Sequence, residues 1–319
     1  MKPSPNAPSR DSATSPDLLA EPLVRAALLE DLGRGGDLTT DAIVPPDRNA
    51  VARIVARETG ILAGLDVATL AFALLDERLD AAPAARDGER VAARQAVAEI
   101  RGRARAILTG ERTALNLLGR LSGIATATRA LVDRIGGTRA RIAGTRKTTP
   151  GLRALERYAV RCGGGVDHRF GLDDAVLIKD NHLALAPSIH AAVAAARDRA
   201  GHMVKIELEV DTLAQLREAL LEPIDAVLLD NMTPAQLREA VGMIGGRIVT
   251  EASGGMTVDN VREIAETGVD LISVGAITHA ARSLDFSLEI LEEVEGDGDN
   301  RSDGDHDDGD SVARKRRQR

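Results

Sequence analysis

The stretch AVLLDNMTPAQLREAVGMIGGRIVTEAS, residues 226–253, decides the fold of this chain. It begins with an apolar run that ends at Asp230 and closes with a second apolar run that ends at Ser253. A segment of helical periodicity lies between the two runs. Runs that are apolar on both faces are typical of buried parallel strands, so the stretch predicts one strand–helix–strand unit of a parallel α/β fold.

The same alternation extends over the second half of the chain. The centres of the last four predicted strands lie 21 to 24 residues apart, the length of a tight strand–loop–helix–loop unit. The predicted strands are 141–144, 175–180, 204–210, 226–231, 247–253 and 271–277. An open doubly wound sheet is the alternative, but no G-x-G-x-x-G follows an early strand, which disfavours a dinucleotide-binding fold. We favour an α/β barrel, which can hold fewer than eight strands.

Residues 17–110 have a different pattern, in which helical and strand-like segments are mixed. Apolar residues recur at helical spacing in 16–32, and 65–76 also reads as a helix. Apolar and polar residues alternate in 98–110, as in a strand with one solvent-exposed face. A long helix is predicted to follow Gly110. We therefore predict an α+β segment with an antiparallel sheet before the barrel.

Composition excludes several classes of function. The 319 residues carry a net charge of -8 and only three Phe, one Tyr and no Trp, which disfavours nucleic-acid binding. The single cysteine, Cys162, cannot form an intramolecular disulfide and is expected to be an inert, small apolar residue. No apolar run reaches the roughly 18 residues of a membrane span, and no signal peptide is evident. We expect a cytoplasmic protein without a membrane or nucleic-acid partner.

Polar side chains follow every predicted barrel strand. Because the carboxyl ends of parallel strands meet at one edge of the sheet, these side chains predict a single polar pocket. Early strands and a glycine-rich loop supply its cationic half, which consists of Arg146, Lys147, His168, Arg169 and Lys179. Arginine binds a carboxylate or a phosphate through a planar fork, and lysine adds a point charge.

The later strands supply a second, different half of the pocket. Glu209 and Asp230 suit a divalent metal such as Mg²⁺, or the hydroxyls of a sugar. The glycine-containing turns SGGMT (253–257) and VGAIT (274–278) expose backbone N–H groups that bind phosphate. A ligand with a phosphate at one end, a polyol in the middle and carboxylates at the other end fits this layout.

Other charged residues are given a structural interpretation. The spacing of four predicts one solvated helix face, with Glu156 as a partner, for Arg153, Arg157 and Arg161. Glu207 and Glu209 share a strand face, and a buried carboxylate needs a partner, for which Lys205 or Lys179 is available. His190 and His279 lie on predicted helices and are expected to be structural or exposed.

Several longer motifs make the chain resemble the quinolinate phosphoribosyltransferase family. In the barrel these are TRKTTPGLR (145–153), GGGVDHRFGLDDAVLIKDNH (163–182), IELEVD (206–211), LLDNM (228–232), EASGGM (251–256) and TGVDLISVGAITH (267–279). Upstream motifs are EDLGRGGDLTT (30–40) and GERTALNLLGRLSGIAT (110–126). The resemblance runs in order from about residue 20 to residue 292.

The resemblance implies an N-terminal α+β open sandwich domain and an incomplete TIM-like α/β barrel. It also implies that quinolinate and phosphoribosyl pyrophosphate (PRPP) give nicotinate mononucleotide, pyrophosphate and CO2, with Mg²⁺, in de novo NAD synthesis. The implied division of the chain is a disordered tail at 1–16, the α+β domain at 17–125, the barrel at 126–285, a segment returning to the first domain at 286–294, and a disordered acidic–basic tail at 295–319.

The resemblance also implies roles for individual residues. The quinolinate carboxylates are assigned to Arg146, His168, Arg169 and Lys179. The pyrophosphate is assigned to Lys147, with Thr145 beside it in the substrate site. The ribose hydroxyls and the metal are assigned to Glu209 and Asp230. The 5-phosphate is assigned to Ser253, Gly254, Gly255, Gly275 and Ala276. Arg112 is implied to reach into the active site of a neighbouring subunit, so a homodimer or larger assembly is expected.

Three other functions stay open at this point. A molybdenum-associated relative of the family keeps much of the same pocket, although His168, Arg169 and Lys179 favour a dicarboxylate. A barrel aldolase could form a Schiff base with Lys179 or Lys205. A non-catalytic binder of a phosphorylated metabolite is the third alternative. No Ser-His-Asp or Cys-His set points to covalent catalysis by another nucleophile.

Overall fold

The computed structural model of the chain describes residues 16–294. The two tails predicted to be disordered, at 1–16 and 295–319, lie outside the described residues except for Pro16, which begins a helix. Within the described part, none of the helices combines the length and the apolar character that crossing a bilayer requires.

An N-terminal α+β domain precedes the barrel. Its helices are α1 (Pro16–Leu32), α2 (Leu38–Ile43) and α3 (Leu65–Ala73). Its strands are β1 (Asn49–Ala56), β2 (Gly60–Ile61), β3 (Asp80–Pro83), β4 (Arg90–Val91) and β5 (Ala96–Arg103), together with the last strand of the described chain, β12 (Phe286–Val294). The four-stranded antiparallel sheet has the order β12-β1-β5-β3, so the end of the described chain returns to this domain.

The long helix α4 (Ala104–Arg134) connects the two domains and starts earlier than predicted. The helix was expected to follow Gly110, but it begins directly after β5, and Gly110 lies inside it. Ala104 and Ile107 are buried at helical spacing, which the strand interpretation of 98–110 did not allow for. Gly110 serves close packing, because a Cβ there would lie 2.8 Å from the ring of Phe72.

The second domain is a parallel α/β barrel. Its strands are β6 (Arg141–Ala143), β7 (Val176–Ile178), β8 (Ile206–Val210), β9 (Ala226–Asp230), β10 (Val249–Ser253) and β11 (Leu271–Ser273). Its helices are α5 (Arg153–Cys162), α6 (Asp180–Leu185), α7 (Ile189–Arg199), α8 (Leu213–Ala219), α9 (Pro234–Ile244), α10 (Val261–Ala265) and α11 (Ala276–His279). All six predicted barrel strands are confirmed.

The strand order shows that this barrel is incomplete. The order β6-β11-β10-β9-β8-β7 runs around the sheet in one direction, whereas a doubly wound sheet reverses direction at a switch point. β6 and β7 lie at opposite ends of the order, so the barrel has a gap between them. The predicted combination of an α+β domain and an incomplete TIM-like barrel is confirmed.

Register brings the polar residues of the strands to one face. Glu209 of β8 pairs with Leu228 of β9, and Asp230 at the end of β9 pairs with Ser253 of β10. Because side chains alternate along a strand, these residues share the face that is opposite to the buried Leu208. The outer face packs on the helices, and the inner face carries the carboxylates toward the barrel mouth.

Candidate active site

A cavity of about 690 Å³ opens at the carboxyl ends of the barrel strands. Its volume lies within the usual range for small-ligand sites. Thirteen of the fourteen predicted site residues line it: Thr145, Arg146, Lys147, His168, Arg169, Lys179, Glu209, Asp230, Ser253, Gly254, Gly255, Gly275 and Ala276. The strand ends, together with the loop that carries His168 and Arg169, therefore gather these residues into one site, as predicted.

Arg112 is the predicted site residue that the cavity does not include. It lies on α4, where its side chain is exposed. Among residues 16–294 no hydrogen bond or ion pair holds its guanidinium. An exposed, unpaired arginine of this kind is available to a second subunit, and its role there stays a prediction.

Two guanidinium groups belong to the cationic half of the cavity lining and carry an unpaired donor. The Nε atoms of Arg146 and Arg169 are buried and lack a hydrogen-bond partner within the described chain. Arg169 is anchored by Nη1, which donates to the carbonyl of Ala175 at 3.1 Å. Burial, and then the charge of Arg146, lower the pKa of Arg169 below its ordinary value. Two unsatisfied cations of this kind bind carboxylates in preference to neutral groups.

His168 lies between two buried carboxylates. Its Nε2 is 3.2 Å from Glu207 and 3.5 Å from Glu251, so Glu207 pairs with His168, and its predicted pairing with a lysine is wrong. Burial lowers the pKa of His168, but hydrogen bonds and charge from Glu207 and Glu251 outweigh it and raise the pKa to about 10. The backbone N–H of Arg169, which donates to Nδ1 at 2.7 Å, opposes protonation there. Burial also raises the pKa of Glu207, so the proton on His168 Nε2 is shared with this carboxylate.

The raised pKa of His168 predicts a pH-dependent stability. The folded pKa of about 10 exceeds the ordinary value of 6.5, so the stabilisation is complete below pH 6.5 and is lost as pH rises toward 10. The melting temperature of the wild type should therefore fall between pH 7 and pH 10 more steeply than that of His168→Asn. Calorimetry of both proteins across this range checks the prediction, and parallel pH curves would contradict it.

Paired carboxylates line the other half of the cavity. Lys179 Nζ donates to Glu209 Oε2 at 2.7 Å, which is the lysine partner predicted for this strand face. Asn231 Nδ2 donates to Asp230 Oδ2 at 2.6 Å. Each carboxylate keeps a second oxygen for a ligand. Hard oxygen donors from few protein residues suit Mg²⁺, which retains water and substrate oxygens in its octahedron.

The turn after β10 can be built only with glycine at its first position. Gly254 has φ +97°, and a Cβ there would lie 2.1 Å from Oδ1 of Asn231. Asn231 itself has φ 53° and donates its backbone N–H to the carbonyl of Ser253. Gly255 also has a positive φ, with nothing within 4 Å of its Cβ position. This open glycine turn leaves backbone N–H groups accessible to an anion.

Lys147 follows the first barrel strand, β6, and lines the same cavity. Its backbone N–H is held by Thr145 Oγ1 at 3.0 Å, and its carbonyl accepts from Thr278 Oγ1 at 2.6 Å. A Cβ on Gly275 would lie 2.8 Å from Cδ of Lys147, so the glycine gives the lysine stem room to pass. Lys147 thereby lines the cavity beside Gly275 with an exposed side chain.

The helix that carries Arg153, Arg157 and Arg161 is not the solvated face that was predicted. Arg157 is buried. Arg157 and Arg161 both donate to Asp167 of the loop at 167–170, and Arg153 donates to Thr148. Glu156 is fully buried and pairs with Arg120 of α4 at 2.8 Å instead of with this row. Spacing alone could not distinguish a row that faces water from one that faces a loop.

Some lining residues were missed by reasoning from the sequence. His279 is exposed, as expected, and it also lines the cavity, because α11 begins directly after the turn at Gly275. Asn231 was noted at a strand end but not assigned to the site. An asparagine that directly follows a strand is a useful signal, since asparagine tolerates positive φ. His190 is exposed, as expected.

Cys162 conforms to its prediction. The side chain is buried, and burial followed by the charge of Asp87 raises the pKa of the thiol to about 12. The thiol therefore stays protonated and inert at neutral pH. Lys205 lies outside the cavity, where its Nζ donates to Asp225 at 2.7 Å, so it does not offer a Schiff-base amine to this site.

Comparison with protein families gives the same two-domain architecture. Residues 37–122 match the family model described as "Quinolinate phosphoribosyl transferase, N-terminal domain", and residues 124–289 match its C-terminal domain. The chain belongs to the quinolinate phosphoribosyl transferase family. The resemblance drawn from the motifs is confirmed, and the boundary between the two matched domains falls within α4.

Relatives in the quinolinate phosphoribosyl transferase family match nearly the whole chain. A probable nicotinate-nucleotide pyrophosphorylase (carboxylating) of Bacillus subtilis is 46% identical over 268 residues, which cover 84% of this chain and 92% of the relative. The nicotinate-nucleotide pyrophosphorylase (carboxylating) of Mycobacterium leprae is 45% identical over 279 residues, with 85% and 97% covered. Among solved structures, NadC from Streptococcus pyogenes superposes with a TM-score of 0.84 at 40% identity, over 88% of this chain and all of that one.

Proposed function

We propose that this chain transfers the phosphoribosyl group of PRPP to the ring nitrogen of quinolinate, with loss of CO2. The products are nicotinate mononucleotide, pyrophosphate and CO2, in a step of NAD synthesis. One observation carries the proposal, namely that a single cavity combines unsatisfied guanidinium donors with paired carboxylates and open glycine turns. The names of the bacterial relatives, and of a tobacco quinolinate phosphoribosyltransferase (decarboxylating) that is 38% identical, support it.

The cationic half fits a small dianion. Quinolinate has two carboxylates, and the guanidinium groups of Arg146 and Arg169, which line the cavity, can each face one of them. His168 adds a ring that shares its proton with Glu207, and Lys179 adds a charge at the edge of the cavity. Orientation of the dianion in a water-poor site brings the ring nitrogen toward the sugar.

The carboxylate half fits the ribose of the donor. Glycosyl transfer passes through a state with positive charge on the sugar, which Glu209 and Asp230 would stabilise while they bind its hydroxyls. Lys147 would stabilise the departing pyrophosphate, and the turns at 253–255 and 275–276 would hold the 5-phosphate. Mg²⁺ is the proposed cofactor, held by Glu209 and Asp230, and it would neutralise negative charge on the pyrophosphate.

Loss of CO2 follows from the charge that transfer creates. The ring nitrogen becomes positive on alkylation, so it stabilises the electron pair that stays on the adjacent ring carbon as CO2 departs. That carbon then takes up a proton from water, which gives nicotinate mononucleotide. The protein need not supply a covalent nucleophile for this step. Its task is to hold the second carboxylate in place and exclude water, which the buried Arg146 and Arg169 donors can do.

We also propose that the active form is a homodimer, or a larger assembly of dimers, with active sites shared between subunits. The supporting observation is that Arg112 is exposed and unpaired within the described chain, although the resemblance places it in an active site. A cytoplasmic location stays a prediction from composition.

Quinolinate-dependent release of CO2 in the presence of PRPP and Mg²⁺ tests the proposed function. Labelled quinolinate should give labelled CO2 and nicotinate mononucleotide, and omission of Mg²⁺ or PRPP should abolish both. Nicotinate and nicotinamide, offered in place of quinolinate, should not be converted. If quinolinate is not turned over, the main proposal fails and the molybdenum-associated relative becomes the better interpretation.

Replacement of Arg169 should weaken the binding of quinolinate and leave the binding of PRPP unchanged. Arg169→Ala removes a buried cation that faces one carboxylate, so the KM for quinolinate should rise roughly a hundredfold. The KM for PRPP should change little, because the donor binds to the opposite half. Steady-state kinetics with each substrate varied in turn measures the split. Arg217→Ala, at an exposed ion pair on α8, is the control, and a larger rise for PRPP than for quinolinate would contradict the division.

A further inference from the structure

Three arginines of α5 form hydrogen bonds with the loop that carries His168 and Arg169. We call Arg153, Arg157 and Arg161 the arginine row. Arg157 Nε donates to Oδ1 of Asp167 at 3.1 Å, and Arg161 Nη1 donates to Oδ2 of the same carboxylate at 2.7 Å. Both oxygens of Asp167 are therefore held by one helix.

The row also binds the backbone of the loop on both sides of Arg169. Arg157 Nη2 donates to the carbonyl of His168, and Arg153 Nη1 donates to the carbonyl of Phe170 at 3.1 Å. The guanidinium of Arg157 lies over the Phe170 ring, 5.1 Å from its centroid. The carbonyls before and after Arg169 are thus fixed by the helix, while its own side chain faces the cavity.

Apart from the arginine row, the side chain of His168 ties the loop to the barrel strands through Glu207 and Glu251. Residues 167–175 belong to no helix or strand, and none of them makes a backbone-to-backbone hydrogen bond within the described chain. Asp174 accepts from the backbone N–H groups of Phe170 and Gly171, but it lies on the same loop. Tertiary contacts from the arginine row therefore replace the backbone ladder that fixes residues on the strands.

From these contacts we infer that the arginine row is a positioning device for the dicarboxylate half of the cavity, with Arg157 as its central member. The inference rests on the proposed function, because it names what sets the geometry of quinolinate binding. Arg157 is the row member placed to hold Asp167, His168 and Phe170 at once. It touches no residue of the carboxylate half among its hydrogen bonds, so its effect should be confined to quinolinate.

Lysine cannot replace Arg157 in this role. A lysine keeps the positive charge, but its ammonium is a point donor and cannot span a carboxylate and a carbonyl in the geometry of a planar fork. Arg157→Lys should therefore loosen the loop without introducing an unpaired buried acid. The KM for quinolinate should rise about tenfold, because a small misplacement of binding groups is costly. The KM for PRPP should stay within about twofold of the wild type, since the strands that hold its half are untouched.

The experiment combines kinetics with hydrogen exchange. Peptides that cover 167–175 should exchange faster in Arg157→Lys than in the wild type, while peptides of β8 and β9 should not change. Asp167→Asn is the second variant, because it removes the negative charge but keeps a side-chain oxygen that can accept from Arg157. It should give the same KM split and the same local exchange.

Arg247→Lys is the matched control. Its guanidinium also holds two backbone carbonyls, those of Met243 and Ile244, but it lies before β10 at the opposite end of the barrel from the cavity. Equal rises in both KM values for Arg157→Lys, or unchanged kinetics with faster loop exchange, would overturn the inference. These outcomes differ from failure of the proposed function, in which the wild type itself would not convert quinolinate.

Discussion

Subunits that carry Arg112→Ala, mixed with subunits that carry Lys147→Ala, should recover about a quarter of wild-type activity. Each variant alone should lose activity roughly a thousandfold or more, since each removes a cation from every active site. Lys147 lines the cavity of its own barrel, whereas Arg112 is exposed on α4 and does not line it. If Arg112 acts in a neighbouring subunit, a mixed dimer has one complete site and one site that lacks both cations.

The expected activity follows from the fraction of complete active sites in the mixture. Random exchange makes half of the dimers mixed, and half of the sites in those dimers are complete, which leaves about a quarter active. The measurement is the CO2-release assay after subunits are dissociated, combined and reassembled. The double variant Arg112→Ala/Lys147→Ala, mixed with the wild type, shows how efficiently subunits exchange. If exchange is demonstrated and activity does not return, Arg112 does not act across the subunit interface.

The barrel was predictable because its strands are local features. Each apolar run, such as 226–230, encodes a buried strand, and the repeat of such runs encodes the alternation with helices. The start of α4 was not predictable in the same way. Gly110 resembles a helix boundary in the sequence, and only its contact with Phe72 shows that it belongs to a packed helix interior.

The part of the site that lies at the strand ends was predictable, because backbone topology alone brings its residues together. Glu209 and Asp230 meet because parallel strands end at one edge, a rule that needs no knowledge of side-chain contacts. The partner of Glu207 and the environment of Arg157 were missed for the opposite reason. Both depend on how the loop at 167–170 folds over the barrel mouth, and the sequence records no periodicity for such a loop.

The two halves of the cavity therefore differ in how they are built. Strands fix the carboxylates, so their separation is set by the sheet and tolerates changes elsewhere. A loop held by α5 fixes His168 and Arg169, so their positions depend on side-chain contacts that single substitutions can remove. Substitutions remote from the cavity should accordingly affect quinolinate binding more often than PRPP binding.

The glycine turn after β10 should be the most sensitive backbone position in the donor half. Gly254→Ala should lower kcat/KM for PRPP by about a hundredfold, because a displacement near 1 Å of binding groups has an effect of that order. An alanine would have to adopt φ +97°, which L-residues avoid, and its Cβ would lie 2.1 Å from Oδ1 of Asn231. Asn231 would have to move, and its hydrogen bond to Asp230 would be lost with it.

The substrate whose binding weakens in Gly254→Ala shows which half of the cavity the substitution disturbs. Because Asp230 and the turn face the ribose phosphate in the proposed function, the KM for PRPP should rise while direct binding of quinolinate stays close to the wild type. Calorimetric titration with each ligand measures both. Gly242→Ala is the matched control, since Gly242 lies inside α9 with nothing within 4 Å of its Cβ position, and alanine there should stabilise the helix by roughly 1 kcal/mol. Unchanged PRPP binding in Gly254→Ala would show that the donor phosphate does not depend on this turn, and it would remove the assignment of residues 253–255 to the phosphate.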